Sequence, residues 1–196
     1  MNKNTQFKKD RIVSNVIGLI QSKQKKLLTP MQMIVLYLKT RGYLHKSLNG
    51  LELFGMHGLW HTKDYIDLLD SLDIFELDET YHAQSKIVLK KYKVNFFNTD
   101  SIKWLGETEN KYDMVVSDSP AMEMFYDSIG FPTFFSDLIK VCNERGIIIF
   151  NTMITLLPEQ EKLQEIIESK CNGRVVKNIS YFPRSEKIMY IVLVLE

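Results

Sequence analysis

No apolar run in this 196-residue chain reaches the roughly 18 residues that a membrane-crossing helix needs, so no membrane partner is expected. The N-terminus is rich in Lys and Asn and has no apolar stretch beside a small-residue cleavage site, which argues against a secretory signal. There are only two cysteines, Cys142 and Cys171, far apart and without C-x-x-C spacing. They are expected as free thiols in a reducing cytoplasm. The four histidines form no pair with a carboxylate at metal-ligand spacing, so no metal is expected. Internal repeats and low-complexity linkers are lacking too. What remains is ordinary globular material, with 45% hydrophobic and 25% charged residues. The length suits one domain with a full core and at most a small appendage.

The net charge is only +1, but it is spread unevenly. Residues 1–46 hold ten Lys and Arg against the single acid Asp10, whereas residues 47–196 hold 15 basic and 23 acidic residues. This asymmetry reads first as a solvated helical face docked on an acidic body. The other reading is a basic arm that meets an anionic partner, which leaves nucleic acid open as a partner. The expected organisation is therefore a basic N-terminal helical segment, 1–46, and one domain, 47–196.

Apolar spacing predicts an amphipathic helix over residues 5–28. Thr29 and Pro30 are an N-cap and a first helical residue, and predict a second helix over 30–41 that stops near Gly42. From residue 48 strands and helices alternate. Strands are predicted at 48–54, 73–77, 93–97, 112–117, 146–151, 175–182 and 188–195. Helices are predicted at 60–72, 80–92, 131–143 and 158–170. Such alternation implies an α/β fold with helices on both faces of a mostly parallel, seven-stranded sheet. The last two strands are joined by too short a turn for a crossover, so they must be antiparallel.

The chain is organised around residues 48–60, LNGLELFGMHGLW. A strand runs into an acid, a glycine-bearing turn and a helix start. Backbone N–H groups and the positive helix end gather at such a turn, and glycine lets the backbone approach a nucleotide-like ligand. Glu52, Phe54, Gly55 and Gly58 are its residues. Further along come three more strand ends. Glu76 and Leu77 close the second strand, where a carboxylate can accept both ribose hydroxyls. Asp78, two residues on, reads instead as a cap of the next helix. Asp100 and Ser101 follow the third strand, and Asp100 also reads as a helix N-cap. Ser117, Asp118, Ser119 and Pro120 follow YDMVV of the fourth.

At these four stations, 24, 24 and 18 residues apart, the chain resembles the class I S-adenosylmethionine-dependent methyltransferases. The resemblance covers residues 48–196 and implies a three-layer Rossmann-like methyltransferase fold that binds S-adenosyl-L-methionine. Glu52, Phe54 and Gly58 fit the D-L-F-x-G-x-G variant of the family's turn, while Met56 stands where glycine is usual. The resemblance implies that Asp100 accepts from the adenine amino group while the next backbone N–H, that of Ser101, donates to the ring. It also implies that Asp118 faces the acceptor. The tetrad that marks amino-methylating nucleic-acid enzymes lacks its aromatic here, because Ala121 follows Pro120, with Phe125 or Tyr126 as substitutes. The string YDMVVSDSP is similar also to the polyamine synthases, in which such an Asp handles the amine.

Methyl transfer from a sulfonium needs alignment above all, and a base only where the acceptor must lose a proton. Asp118 is the first candidate for that role. His57 and His61 flank the turn, and neutral imidazoles titrate near pH 7. The Met- and aromatic-rich segment 121–135 is the candidate lid, with Trp60 and Trp104 as further pocket or core aromatics. The expected function is methyl transfer to a small-molecule substrate. The alternatives are an RNA or DNA methyltransferase, a non-catalytic interaction protein of the same fold, and an aminopropyl transferase.

Overall fold

A computed structural model describes residues 28–44, 47–55, 61–117, 130–153, 165, 167, 169–171 and 173–196. The first helix, α1 (Pro30–Thr40), starts as the sequence predicts. The Thr29 hydroxyl accepts from the Gln32 N–H, and the Gln32 side chain accepts from the Thr29 N–H, each at 3.1 Å. Met31, Ile34, Val35 and Leu38 recur at helical spacing and are all buried. The capping pair is itself clamped by Asp64, whose carboxylate accepts from Thr29 Oγ1 at 2.6 Å and from Gln32 Nε2 at 2.9 Å. Asp64→Ala should lower stability by about 1–2 kcal/mol through loss of these bonds. Urea denaturation checks this, and an unchanged midpoint would mean that the apolar face alone seats α1.

The strands are β1 (Leu48–Leu53), β2 (Leu69–Phe75), β3 (Val94–Phe97), β4 (Tyr112–Ser117), β5 (Cys142–Met153), β6 (Val176–Pro183) and β7 (Ile188–Leu195). They form one sheet in the order β3-β2-β1-β4-β5-β7-β6. β3, β2, β1, β4 and β5 are parallel, and β7 is antiparallel to both of its neighbours. The sheet is covered on both faces, so its central strands carry apolar residues on both sides. One face carries Leu51, Leu53, Val115, Ile148 and Phe150 and packs with Phe134, Phe135 and Leu138 of α5 (Gly130–Val141). The other carries Met114, Val116, Ile147, Ile149 and Val192, packed with α1 and with Tyr65. These are the three layers expected from the sequence.

Two local expectations are corrected. The helix predicted over 60–72 is only α2 (Thr62–Tyr65) followed by a 3₁₀ turn (Ile66–Leu68), and β2 begins at Leu69. Leu68, Leu69 and Leu72 fit a helical stripe, but residues 71–75 pair in register with β1, which places Leu72 and Ile74 in one core and Phe75 in the other. Tertiary pairing overrides the local pattern. β2 then ends at Phe75, so Glu76 and Leu77 lie just beyond the strand. The helix predicted over 80–92 is α3 (Glu79–Val88), which starts one residue earlier and stops four residues sooner. A further helix without a predicted counterpart, α4 (Ser101–Glu107), follows Asp100. The helix predicted over 5–28 lies outside the described residues except at its last position. Residues 165, 167, 169 and 170 of the one predicted over 158–170 are helical. No helix among the described residues is long and apolar enough to cross a membrane.

Candidate functional site

Strand register builds the site. Phe97, Phe75, Leu53, Ser117 and Phe150 stand in one row across β3, β2, β1, β4 and β5. β3, β2, β1 and β4 end at this row, which is the carboxyl edge, while β5 runs on to Met153. The strand order reverses between β1 and β4, and ligands of open α/β sheets bind at that crevice.

At the end of β1 the backbone turns sharply. Phe54 adopts φ +62°, in the left-handed region that a bulky residue seldom enters. The Gly55 N–H then donates to the Phe75 carbonyl at 3.1 Å. A Cβ on Gly55 would lie 2.2 Å from Cγ2 of Ile74, a fully buried β-branched side chain that cannot swing away. Gly55→Ala should cost about 1–3 kcal/mol of stability, and much less in an Ile74→Ala background, where that methyl is gone. Thermal or urea unfolding of the four variants checks this; additive losses would mean that the contact is not the cause.

Glu52, the acid of the turn, is 3% exposed. Thr62 Oγ1 lies within hydrogen-bond distance of both its carboxylate oxygens, at 2.8 and 2.9 Å. The acid thus ties the end of β1 to the first residue of α2. Its sequence-predicted neighbours Gly58 and His57 lie outside the described residues, as do Met56, Asp118 and most of the candidate lid. The other flanking histidine, His61, does not sit at an open mouth. It is buried and packs edge-on against Tyr190 at 5.7 Å, with the Arg184 guanidinium 5.8 Å from the Tyr190 ring centroid.

Beyond β2, the Glu76 N–H donates to the Phe97 carbonyl at 3.1 Å. Glu76 Oε1 accepts from the Asp78 N–H at 3.0 Å. Asn98 Nδ2 donates to the Leu77 carbonyl at 2.7 Å, so the ends of β2 and β3 are laced together. Asp78 takes the capping role: it accepts from the Thr80 N–H at 2.8 Å and the Thr80 hydroxyl at 2.6 Å, starting α3. The Thr80 hydroxyl bond, followed by the Thr80 N–H bond, holds the Asp78 acid below its ordinary value. Asp100 caps α4, its Oδ1 accepting from the N–H groups of Ile102 and Lys103 at 2.9 and 3.3 Å. Ser101 beside it is buried.

Glu76 and Asp100 thus stand at the ends of adjacent strands on one edge. Between them Leu77 is 65% and Phe97 38% exposed. Phe97 stacks on Phe75 at 4.7 Å, and Phe75 lies against Trp104 at 4.1 Å. The arrangement is two carboxylates beside an apolar shelf. Sequence reasoning missed Asn151, Tyr190 and Arg184. Asn151 and Tyr190 are cross-strand partners one step beyond the Ser117 row. Arg184 follows β6, which runs parallel to β1 and ends at the same edge. Only the pairing order of the strands reveals them.

The fold is that of the class I S-adenosylmethionine-dependent methyltransferases. The N-methyltransferase NodS from Bradyrhizobium japonicum superposes with a TM-score of 0.61 at 13% identity, over 85% of this chain and 93% of that one. The magnesium protoporphyrin IX methyltransferase from Synechocystis, solved with bound S-adenosylmethionine, gives 0.61 at 14% identity over 85% and 78%. A methyltransferase from Agrobacterium tumefaciens gives 0.63 at 12% identity over 85% and 63%. At these identities the likeness establishes the fold alone. Sequence narrows it further: the spermine/spermidine synthase domain matches residues 66–193, and the chain belongs to that family. A polyamine aminopropyltransferase from Methanocaldococcus jannaschii is 31% identical over 88 residues, which is 41% of this chain and 30% of the relative. The match therefore spans under a third of that protein.

Proposed function

We propose that this protein is a transferase that binds the adenosine of a sulfonium donor along the β1–β3 edge and passes an aminopropyl group from decarboxylated S-adenosylmethionine to a small amine. The observation that carries the reading is the placement of Glu76 and Asp100 on one edge, beside an exposed apolar shelf. Glu76 accepts from the ribose hydroxyls, Asp100 from the adenine amino group, and Leu77 and Ser101 flank the ring. Gly55 and Gly58 let the backbone approach the donor's tail, and Glu52 ties the end of β1 to α2.

Family membership supports the choice of transferred group, and so does charge. Glu52, Glu76 and Asp100 place carboxylates around the turn, and a donor that has lost its own carboxylate puts no anion against them. In the reaction the acceptor nitrogen attacks the propyl carbon, the carbon–sulfur bond breaks, and the neutral thioether 5′-methylthioadenosine leaves. The alkylated ammonium then releases its proton, and Asp118 is the residue assigned to orient the amine and receive it, with His57 as the second candidate. Methyl transfer from S-adenosyl-L-methionine to a small molecule is the second reading, favoured by the methyltransferase neighbours of the fold.

The nucleoside product separates the two. With decarboxylated donor and an aliphatic diamine, the expected product is 5′-methylthioadenosine. Formation of S-adenosylhomocysteine from intact S-adenosylmethionine would select methyl transfer instead. Absence of both products, with no calorimetric binding of either nucleoside, would remove the transferase reading.

A further inference from the structure

A cavity of about 730 Å³ opens at the opposite, amino edge of the sheet, lined by Lys111, Cys142, Asn143, Glu144, Arg145 and Arg174. It lies where α5 ends and β5 begins. Three of its side chains are cationic and one is acidic. The Arg174 guanidinium is fixed in place: Nη1 donates to the carbonyls of Ile139 and Cys142 at 2.8 and 2.9 Å, and Nη2 donates to the carbonyl of Asn143. Its Nε–H is buried without an acceptor among the described residues. Lys111 Nζ spends one donor on the Lys140 carbonyl and keeps two.

Cations at a helix C-terminus answer its carbonyls and dipole, and that accounts for the bonds Arg174 and Lys111 already make. It does not account for the rest. Arg145 is exposed, reaches none of these carbonyls, and also borders the neighbouring hollow with Lys177. Two other cations nearby are already matched, Lys140 on Glu109 at 3.2 Å and Lys177 on Glu196 at 3.1 Å, and Glu144 is the acid of the lining. Burial pushes the Cys142 thiol up to about 12, so it stays neutral and adds no competing anion. A pre-fixed guanidinium, a lysine with spare donors and an unengaged arginine border one hollow.

We propose that this hollow is an oxyanion site for a small phosphate-bearing anion, separate from the nucleoside edge and independent of the reaction carried out there. Charge-assisted bonds from Arg145 and Lys111 would hold it, with the fixed Arg174 guanidinium adding its charge. The test is calorimetric titration with inorganic pyrophosphate at low salt, on the wild type and on Arg145→Glu and Lys111→Gln, with 5′-methylthioadenosine binding measured in parallel. Both substituted side chains are exposed, so the fold is expected to persist. The expected result is pyrophosphate binding that weakens by roughly tenfold or more in Arg145→Glu and less in Lys111→Gln, with nucleoside binding unchanged. No binding by the wild type would overturn the proposal. So would equal affinity in Arg145→Glu, or competition between pyrophosphate and the nucleoside, which would put the anion at the other edge.

Discussion

Glu76→Ala should weaken nucleoside binding by about 2–4 kcal/mol, roughly 30- to 1000-fold in Kd, because two charge-assisted hydrogen bonds to the ribose are lost at once. The loss should fall on binding and not on the fold. Glu76 lies beyond the end of β2, and its carboxylate accepts from the Asp78 N–H. The cap of α3 survives, because Asp78 itself bonds Thr80. Glu76→Gln keeps one acceptor oxygen but no charge, and should fall between the two. Calorimetry with 5′-methylthioadenosine measures all three proteins. Wild-type affinity in Glu76→Ala would mean that the sugar lies elsewhere.

Asp118→Asn should do the opposite: leave nucleoside affinity within a few-fold and cut turnover by about a hundredfold or more, the usual range for a positioned proton acceptor. The expectation rests on chain position. Ser117 closes β4, is 2% exposed, and stands in register with Leu53 and Phe150. Asp118 follows it directly in the sequence. An amide is nearly the same size as the carboxylate but cannot take up a proton near neutral pH, so alignment survives and proton removal does not. Steady-state rates with saturating donor read the effect. Unchanged turnover would return Asp118 to a capping role and leave water to take the proton.

The sequence was most legible where burial is most complete. YDMVVS matches β4 residue for residue, and the closing strand 188–195 matches β7, because both are nearly continuous apolar runs inside the sheet. It was least legible where two periodicities share the same leucines, as in residues 68–72, where pairing with β1 decides for strand. α4 has seven residues with a glycine near its end, too short for its own pattern to announce it; its legible signal was Asp100, read beforehand as a cap. At the site, the acids at strand ends could be found from spacing. The bond from Thr62 to Glu52 could not, since it depends on how the chain folds back after the turn. Arg184, Asn151 and Tyr190 come to the edge only through the β5-β7-β6 order, which no local pattern encodes.

The most direct measurement is a crystal structure of the protein with 5′-methylthioadenosine. The account predicts one nucleoside over the Phe54–Gly55 turn, its ribose hydroxyls on the Glu76 carboxylate and its adenine amino group on Asp100. A nucleoside bound with neither carboxylate in contact would contradict it.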